Sequence, residues 1–237
     1  KSFGACFGVS AGYERPMWFA LDGEKAEYEY SYNYQNWYPS VEYETNNTIS
    51  NVGLYDLSPF SKFEIISEKA HEDLQRICTS NIKQEPGKCN YTHMLNKDGG
   101  IETDLTVVCI DKNHFRIISS AATRERDKFH IKKHLSEGVE LIDVTEDYCV
   151  FGIFGPKSRL LMQDLSLDDF SNENFKFANS KYIEIDGTKI WTQRLSYVGE
   201  LGYELYVKTS DSKNIYEKLI EKGKKYNLSN CGMHALD

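Results

Sequence analysis

Two acidic residues stand where a carboxylate could take part in chemistry. The first is Asp104, which interrupts the apolar, strand-like run "IETDLTV". Because side chains alternate along a strand, Asp104 shares a face with Glu102 and Thr106, opposite the apolar residues. A carboxylate held on such a face can accept a proton or stabilise developing positive charge at hydrogen-bond distance. The same alternation also fits a solvent-facing polar stripe that has no chemical role.

The second acid is Glu200, in the segment "YVGELGYELYV". Gly199 and Gly202 flank it just before a predicted strand. Glycine permits a positive φ, or the close approach of a flat ligand to the backbone. A loop with an ordinary surface glutamate is the alternative that this pattern leaves open.

The segment around Asp104 contains the elements needed to position it. "FEII" predicts a strand, and "SEKAHEDLQRI" predicts a helix with Ser67 as its N-cap. "YTHML" and "IETDLTVVCI" predict two strands joined at "KDGG", where Asp-Gly supplies the positive φ that a tight hairpin requires. "FRIISS" predicts a third strand, and "TRERDKFHIKKHL" predicts a helix capped by Thr123.

The same order of elements is then predicted a second time. "YCVFGIFG" indicates a strand, "PKSRLLMQDL" a helix, and "KYIEI", "KIWTQRLSY" and "YELYVK" three strands before the helix "SDSKNIYEKLIEKGKKY". The matched turn residues Asp98 and Asp186 are 88 positions apart. We therefore predict an α+β fold built from duplicated β-α-β-β-β-α units. The offset pairs Asp104 with Thr192, so Asp104 and Glu200 are not equivalent residues of the two units.

This organisation divides the chain into three predicted segments. Residues 1–45 are rich in aromatic residues and are predicted to form strands and loops that wrap the core. Residues 46–138 form the first predicted α+β unit, and residues 139–237 form the second.

The composition excludes several classes of protein. The net charge is −8 over 237 residues and no basic cluster stands out, which argues against a nucleic-acid partner. No apolar stretch approaches the ~18–20 residues of a membrane-spanning helix. The six cysteines form no CxxC motif and sit mostly among apolar residues, which favours reduced thiols. The six histidines are scattered, so we predict no metal site.

Four segments in order carry a resemblance to a known family. "VGLYDLSPFSKFEI", "YTHMLNKDGGIETDLTV", "GPKSRLL" and "RLSYVGELGYELYV" resemble the folate-binding domain of the glycine-cleavage T-protein (aminomethyltransferase) superfamily. Within it, "GYERPMWFA", "YTHML" and "YVGELGYEL" are most similar to the C-terminal halves of dimethylglycine and sarcosine dehydrogenases. The resemblance extends over nearly the whole chain.

The resemblance implies a T-protein-like fold and an enzyme. The implied function is tetrahydrofolate-dependent transfer of a one-carbon unit. The domain would accept the methylene unit from oxidative demethylation of dimethylglycine or sarcosine, and 5,10-methylenetetrahydrofolate would be the product. FAD would be bound by a flavin dehydrogenase domain upstream in the same chain, since the sequence contains no G-x-G-x-x-G motif. A β-rich domain is expected downstream. The bacterial cytoplasm or the mitochondrial matrix is the expected location.

The resemblance also implies roles for individual residues. Asp104 stands where the family has its catalytic aspartate, and Glu200 where a glutamate contacts the edge of the pterin. A pterin presents adjacent N–H donors that a carboxylate can accept. The full set of residues that match or adjoin folate-binding positions is Phe60, Tyr91, Thr106, Ile118, Arg194, Tyr197 and Glu200. Plain core packing remains the alternative for the apolar members.

Other functions remain open for this fold. One is a stand-alone aminomethyltransferase that acts on a lipoyl-carried aminomethyl group, and another is a demethylase for a different methylated substrate. A third is a folate-binding assembly factor for iron–sulfur proteins, which carries a "KGCYxGQE"-like segment where this chain has "SYVGELGYE". The fourth is a folate-binding interaction module without catalysis.

Overall fold

The computed structural model describes residues 2–237 and shows an α+β fold. The helices and strands are, in chain order, β1 (Ala5–Ser10), β2 (Tyr13–Phe19), α1 (Tyr38–Ser50), β3 (Val52–Asp56), β4 (Ser61–Ile66), α2 (Ala70–Ile77), β5 (Cys89–Leu95), β6 (Ile101–Asp111), β7 (His114–Ser119), α3 (Arg124–His134), β8 (Ile142–Asp143), β9 (Tyr148–Phe154), α4 (Ser158–Leu165), β10 (Ser180–Ile185), β11 (Thr188–Gln193), β12 (Gly202–Lys208), α5 (Ser212–Gly223), β13 (Leu228–Cys231) and α6 (Met233–Leu236).

These elements form two compact units. We call Pro59–Tyr148 with Ala178–Lys181 the Asp104 unit. The described residues up to Ser58, Cys149–Phe177 and Tyr182–Asp237 form the Glu200 unit. The boundaries expected at 46–138 and 139–237 remain a prediction about how the chain divides into domains.

The Asp104 unit contains a five-stranded sheet in the order β5-β6-β7-β4-β8. One face of this sheet packs against α2 and α3, which contribute the buried residues Leu74 and Ile131 to the core. Along β6, Thr103, Leu105 and Val107 are buried against that core, as the alternation predicted. Asp104 therefore lies on the opposite face of the sheet.

The Glu200 unit contains a six-stranded sheet in the order β10-β11-β12-β9-β3-β13, beside the separate hairpin β1–β2. Its core combines Ile153 of β9, Leu161 of α4, Ile190 of β11, Leu205 of β12 and Ile215 of α5. Strand β13 runs parallel to β3, whereas β3 pairs with β9 in the antiparallel direction.

The predicted duplication is confirmed by the element order. The series β4-α2-β5-β6-β7-α3 recurs as β9-α4-β10-β11-β12-α5. The strand order β5-β6-β7-β4 likewise recurs as β10-β11-β12-β9. Each copy thus builds the same four-stranded sheet from the same succession of elements.

The register corrects one detail of the repeat. Thr106 pairs with Ile118 in one copy, and Trp191 pairs with Tyr206 in the other. Residues 107–117 separate the first pair and residues 192–205 the second, so the second connection is longer by three. Equivalent residues of the two copies are therefore 88 positions apart on β7 and β12 but 85 positions apart on β6 and β11.

By this register, Lys189 is the counterpart of Asp104, because each lies two residues before the paired position on its strand. The pairing of Asp104 with Thr192 was therefore wrong. The conclusion that Asp104 and Glu200 are not repeat equivalents is unchanged.

The N-terminal segment differs from expectation at its end. Strands β1 and β2 agree with the prediction of strands and loops for residues 1–45, but α1 begins at Tyr38. The buried side chains of α1 are Ser40, Glu44, Asn47 and Thr48, which recur at helical spacing. Because this buried face is polar, a search for apolar periodicity does not find the helix.

Two helix starts were also predicted. Thr123 occupies the N-cap position of α3 as expected, but its hydroxyl does not cap the backbone. Ser67 is not the N-cap of α2, which is Lys69. The Ser67 hydroxyl instead accepts a hydrogen bond from the Lys69 backbone N–H at 3.2 Å, in the turn that precedes the helix.

Among residues 2–237, no helix has the length and apolar character needed to cross a membrane.

Candidate functional site

The side chains around Asp104 form a patch on the face of the sheet opposite the core. In the register of the three strands, His93 lies opposite Asp104, Tyr91 opposite Thr106, and Thr106 opposite Ile118. Directly opposed residues of antiparallel strands point to the same side of the sheet. We call the patch made by these five residues the open face.

A hydrogen bond orients the Asp104 carboxylate on the open face. The Tyr91 hydroxyl donates to Asp104 Oδ2 at 3.1 Å. Both residues are exposed, and 62% of the Tyr91 surface is accessible. The His93 ring packs edge-on against the Tyr91 ring, with 5.4 Å between centroids. Since a carboxylate has about four lone-pair sites, the phenol uses only part of its accepting capacity.

The turn that precedes Asp104 is held by a side chain. The Asn96 Oδ1 accepts hydrogen bonds from the backbone N–H groups of Asp98, at 3.0 Å, and Gly100, at 2.9 Å. Gly99 between them has φ +82°, which explains the glycine at this position. The predicted turn at "KDGG" is therefore present, and Asn96 is the additional residue that fixes it.

The side of the sheet that carries the open face also carries a buried ion pair, which joins β4 and β7. Arg116 Nη2 lies 2.6 Å from Glu64 Oε1, and His114 Nε2 lies 3.0 Å from Glu64 Oε2. Burial alone would raise the pKa of Glu64, but the hydrogen bond from His114 and the charge of Arg116 hold it below its ordinary value. The Arg116 guanidinium also lies 4.5 Å from the centre of the Tyr148 ring.

Sequence reasoning missed this pair. The signal available was the charged residue inside each of the apolar runs "SKFEII" and "HFRIIS". The register shows that Glu64 and Arg116 are directly opposed.

Phe60 lies at the start of the Asp104 unit, immediately before β4. It is half-buried, and its backbone carbonyl accepts a hydrogen bond of 2.7 Å from the buried Lys62 ammonium. Lys62 in turn lies opposite Ile118 on β7. Phe60 is thereby held next to the strand that supplies Ile118 to the open face.

The remaining predicted residues lie in the connection between β11 and β12, in the Glu200 unit. Arg194 Nη1 donates a hydrogen bond to the backbone carbonyl of Phe175. Tyr197 is exposed and Glu200 is half-buried. Gly199 has φ +80°, so the positive φ expected of a flanking glycine is present. The structure thus assigns Arg194 a contact with the backbone, and the folate-binding roles of these residues remain predictions.

The end of this connection is fixed beside Glu200. The Leu201 carbonyl accepts hydrogen bonds from the Gly155 backbone N–H at 2.8 Å and the Ser158 hydroxyl at 3.2 Å. At Gly202 a methyl group would lie 2.5 Å from Phe154 Cδ1, so any other residue would force its neighbours to shift. Glu200 therefore follows a glycine with a positive φ and precedes an anchored backbone.

One further acid of the Glu200 unit was not predicted. Desolvation raises the pKa of Glu204 to about 7, although the Tyr206 hydroxyl donates to its Oε2 at 2.9 Å. Glu204 lies opposite Gln193 on β11. Its position in "GYELYV", alternating with apolar residues, was the only sequence signal.

The structure thus brings Tyr91, Asp104, Thr106 and Ile118 together on one face, and Phe60 lies immediately before β4 of the same sheet. Arg194, Tyr197 and Glu200 share one connection in the other unit. Within the described part of the chain, no group of three or more His, Cys, Asp or Glu side chains is arranged to hold a metal ion.

Comparison with known proteins identifies the family. The model of the GCVT N-terminal domain matches residues 1–237, and the chain therefore belongs to this family. The chain is 35% identical over 235 residues to 4-methylaminobutanoate oxidase (formaldehyde-forming) of Paenarthrobacter nicotinovorans. It is 33% identical over 233 residues to mitochondrial dimethylglycine dehydrogenase of Rattus norvegicus.

These alignments cover 99% and 97% of this chain, but only 28% and 27% of the two relatives. The chain thus spans little more than a quarter of the length of these two relatives. Among solved structures, it is similar to the glycine cleavage system aminomethyltransferase T from Bartonella henselae, with a TM-score of 0.81. That likeness covers 100% of this chain and 58% of the other at 21% identity, and it confirms the predicted T-protein fold.

Proposed function

We propose that this chain is a one-carbon acceptor domain that uses tetrahydrofolate. In this proposal it takes up the methylene unit released by oxidative demethylation of an N-methylated glycine, and 5,10-methylenetetrahydrofolate is formed. The observation that carries the proposal is the Asp104 carboxylate on the open face, oriented by the Tyr91 hydroxyl at 3.1 Å.

The names of the relatives support the class of substrate. One relative is an oxidase of 4-methylaminobutanoate and another is a dehydrogenase of dimethylglycine. Both compounds are amino acids with an N-methyl group. Oxidation of such a group leaves its carbon at the level of formaldehyde, and the first relative is described as formaldehyde-forming. A domain that captures this carbon would prevent its release.

The open face fits the polar edge of a reduced pterin. Asp104 supplies an accepting carboxylate, and Thr106 supplies a hydroxyl two residues further along the same face. The Tyr91 ring and Ile118 add a surface against which a flat ring can pack. Tetrahydrofolate, when bound, supplies the nucleophilic nitrogens that take up the carbon.

Asp104 has two tasks in this proposal. Its carboxylate accepts the N–H groups of the ligand and so fixes their direction. It then takes the proton that must leave a nitrogen as the new bond forms, which typically accounts for roughly 10²–10⁴-fold in rate. Tyr91 keeps one carboxylate oxygen in place and leaves the other available to the ligand.

The flavin part of the reaction lies outside these residues. The sequence has no G-x-G-x-x-G motif, so we assign no step of the oxidation to this chain. We propose that a flavin dehydrogenase domain in the same polypeptide binds FAD and oxidises the amine, as the lengths of the relatives suggest. A bacterial cytoplasm or a mitochondrial matrix would suit this function.

The products of turnover test the proposal. The full-length protein is supplied with dimethylglycine or sarcosine, with and without tetrahydrofolate, and formaldehyde and 5,10-methylenetetrahydrofolate are quantified. We expect formaldehyde alone without tetrahydrofolate, and mainly 5,10-methylenetetrahydrofolate when it is present. Equal release of formaldehyde under both conditions would refute the proposal. Activity only on a lipoyl-carried aminomethyl group would instead identify the stand-alone aminomethyltransferase.

A further inference from the structure

A buried carboxylate lies behind the open face. Asp127 belongs to α3 and is only 1% exposed. Its Oδ2 accepts hydrogen bonds from the Thr123 hydroxyl at 2.7 Å and from the Thr103 hydroxyl at 3.1 Å. Thr103 is the residue immediately before Asp104 on β6, so this acid of the helix reaches the strand at the proposed catalytic position.

A second contact joins the same turn of α3 to β6. Arg126 Nη2 donates a hydrogen bond to the backbone carbonyl of Glu102. The two residues that precede Asp104 are thus each held by the start of α3, one through its carbonyl and one through its side chain. We call Thr103, Thr123, Arg126 and Asp127 the α3 clasp.

The clasp has an energetic cost. The other oxygen of Asp127, Oδ1, is buried and has no hydrogen-bond partner among the described residues, and Arg126 Nε lies 3.6 Å away. A buried carboxylate loses much of its hydration, and this loss is offset only when its partners are complete. An apolar side chain would pack at this position without that cost.

The second copy of the unit shows that the fold accepts an apolar residue at this position. The N-cap residues of α3 and α5 are Thr123 and Asp211, which are 88 positions apart. By the same offset, Asp127 corresponds to Ile215, which is fully buried in the core of the Glu200 unit. The helix therefore does not require a carboxylate for its packing.

We propose that Asp127 is a positioning residue for Asp104, acting through Thr103. This inference rests on the proposed function of the open face. By fixing the backbone of β6 at residues 102 and 103, the clasp sets the direction in which the next side chain leaves the strand. A displacement of about 1 Å at a reacting group can reduce the rate by roughly 10²-fold, so even a small release of β6 would be visible in turnover.

The test uses the full-length protein and the tetrahydrofolate-dependent formation of 5,10-methylenetetrahydrofolate. For Asp127→Ile, which introduces the residue of the second copy, we expect a folded protein with a melting temperature close to that of the wild type, because the Thr103 and Thr123 hydroxyls keep the Asp104 and Ser120 backbone carbonyls as acceptors. We expect its folate-dependent kcat to fall by about 10–100-fold. The KM for the amine and the rate of amine oxidation should not change.

Thr103 variants provide the second arm. Thr103→Val removes the hydroxyl at nearly constant shape and should reproduce the loss in kcat, whereas Thr103→Ser should restore most of it. Thr123→Val provides the comparison, because it removes the other hydrogen bond to Asp127 and leaves the contact between Asp127 and Thr103 of β6 in place. We expect it to have a smaller effect than Thr103→Val.

A double-mutant cycle separates positioning from general stability. In the Asp104→Asn background, Asp127→Ile should change kcat by less than about twofold, since Asp127 acts only through Asp104. If Asp127→Ile lowered kcat by the same factor in the wild-type and Asp104→Asn backgrounds, the inference would be overturned. An unaltered kcat in both Asp127→Ile and Thr103→Val would also overturn it. Either result would leave the proposed function intact. A wild-type protein that forms no 5,10-methylenetetrahydrofolate would refute the proposed function itself.

Discussion

The hairpins β5–β6 and β10–β11 occupy the same place in the two copies of the unit but present different chemistry. In the first, the Tyr91 hydroxyl donates to Asp104. In the second, the position of Asp104 is taken by Lys189, whose ammonium lies 4.2 Å from the centre of the Tyr182 ring. A tyrosine thus accompanies both residues, but it orients an acid in one copy and stacks with a cation in the other.

The two copies are also extended in different places. Residues 96–100 form the turn between β5 and β6, whereas only residues 186–187 join β10 to β11. Conversely, residues 194–201 connect β11 to β12, while β6 and β7 are joined by residues 112–113. Each candidate acid lies at the extended part of its own copy: Asp104 on the strand after the longer turn, and Glu200 within the longer connection. Duplication therefore supplied the scaffold, and local changes supplied the distinct chemistry.

The largest difference between the hairpins should appear in the rate of 5,10-methylenetetrahydrofolate formation when Asp104 and its counterpart Lys189 are replaced. Asp104→Asn retains the shape of the side chain but removes its charge and basicity. We expect the rate of 5,10-methylenetetrahydrofolate formation to fall by roughly 10²–10⁴-fold. Lys189→Gln should change it by less than about twofold, because the replacement of an exposed side chain usually has little effect. Comparable losses in the two variants would show that the hairpins do not differ in function.

The close packing at the start of β12 has no counterpart in β7. Gly202→Ala would place a methyl group 2.5 Å from Phe154 Cδ1 and 2.9 Å from the Leu195 carbonyl oxygen. We expect the free energy of unfolding to fall by about 1–3 kcal/mol, as measured by urea denaturation. The corresponding residue of β7, His114, is half-buried, and its replacement by Gln should cost less. A stable Gly202→Ala variant would mean that the Glu200 connection is not held as described.

The tyrosines give a smaller, matched comparison. Tyr91→Phe removes the hydroxyl that donates to Asp104, and we expect tetrahydrofolate to bind about 10-fold more weakly in calorimetric titration. Tyr182→Phe keeps the ring that contacts Lys189 and should leave the affinity unchanged. If Tyr91→Phe binds as tightly as the wild type, Asp104 does not depend on this hydrogen bond for its orientation.

The smallest expected effect is on the pH dependence of stability. Glu64 of the first copy and Glu204 of the second should contribute to it with opposite signs. Desolvation raises the pKa of Glu204 to about 7, so the folded state binds its proton more tightly than the unfolded state does. The contribution of Glu204 to stability is therefore present at low pH and is lost as the pH rises through about 7. The pKa of Glu64 is lowered, so its contribution is present above the unfolded pKa and is lost as the pH falls.

Melting temperatures measured from pH 4 to pH 8 would separate these two contributions. Glu204→Gln should lose stability less steeply than the wild type between about pH 5 and 8, and Glu64→Gln should lose it less steeply at acidic pH. Parallel pH profiles for the two variants and the wild type would contradict the assignment.

The sequence predicted much of this arrangement, because the relevant signals were local. Alternation along "IETDLTV" placed Asp104 on the face away from the core, and the two Asp-Gly turns revealed the duplication. Helix α1 was missed because its buried face is made of polar side chains such as Glu44. The equivalence of Asp104 with Lys189 required the strand register, since the longer β11–β12 connection shifts the offset by three residues.

The parts of the site that could not be predicted are contacts between distant segments. Nothing in the local sequence links Asp127 to Thr103, or Glu64 to Arg116, because these partners meet only when helix and strands pack. A single polar residue among apolar residues indicates that its side chain has a role, but it does not identify the partner. The catalytic role of Asp104 remains a prediction, and so do the folate-binding roles of Phe60, Tyr91, Thr106, Ile118, Arg194, Tyr197 and Glu200.

The proposed function depends on folate binding at the open face of the Asp104 unit. A crystal structure of the full-length protein with 5-formyltetrahydrofolate tests it most directly. The prediction is a pterin against Tyr91 and Ile118, with a ring nitrogen within about 3.2 Å of an Asp104 carboxylate oxygen. A ligand bound beside Tyr182 and Lys189, or at any surface away from Asp104, would contradict the claim.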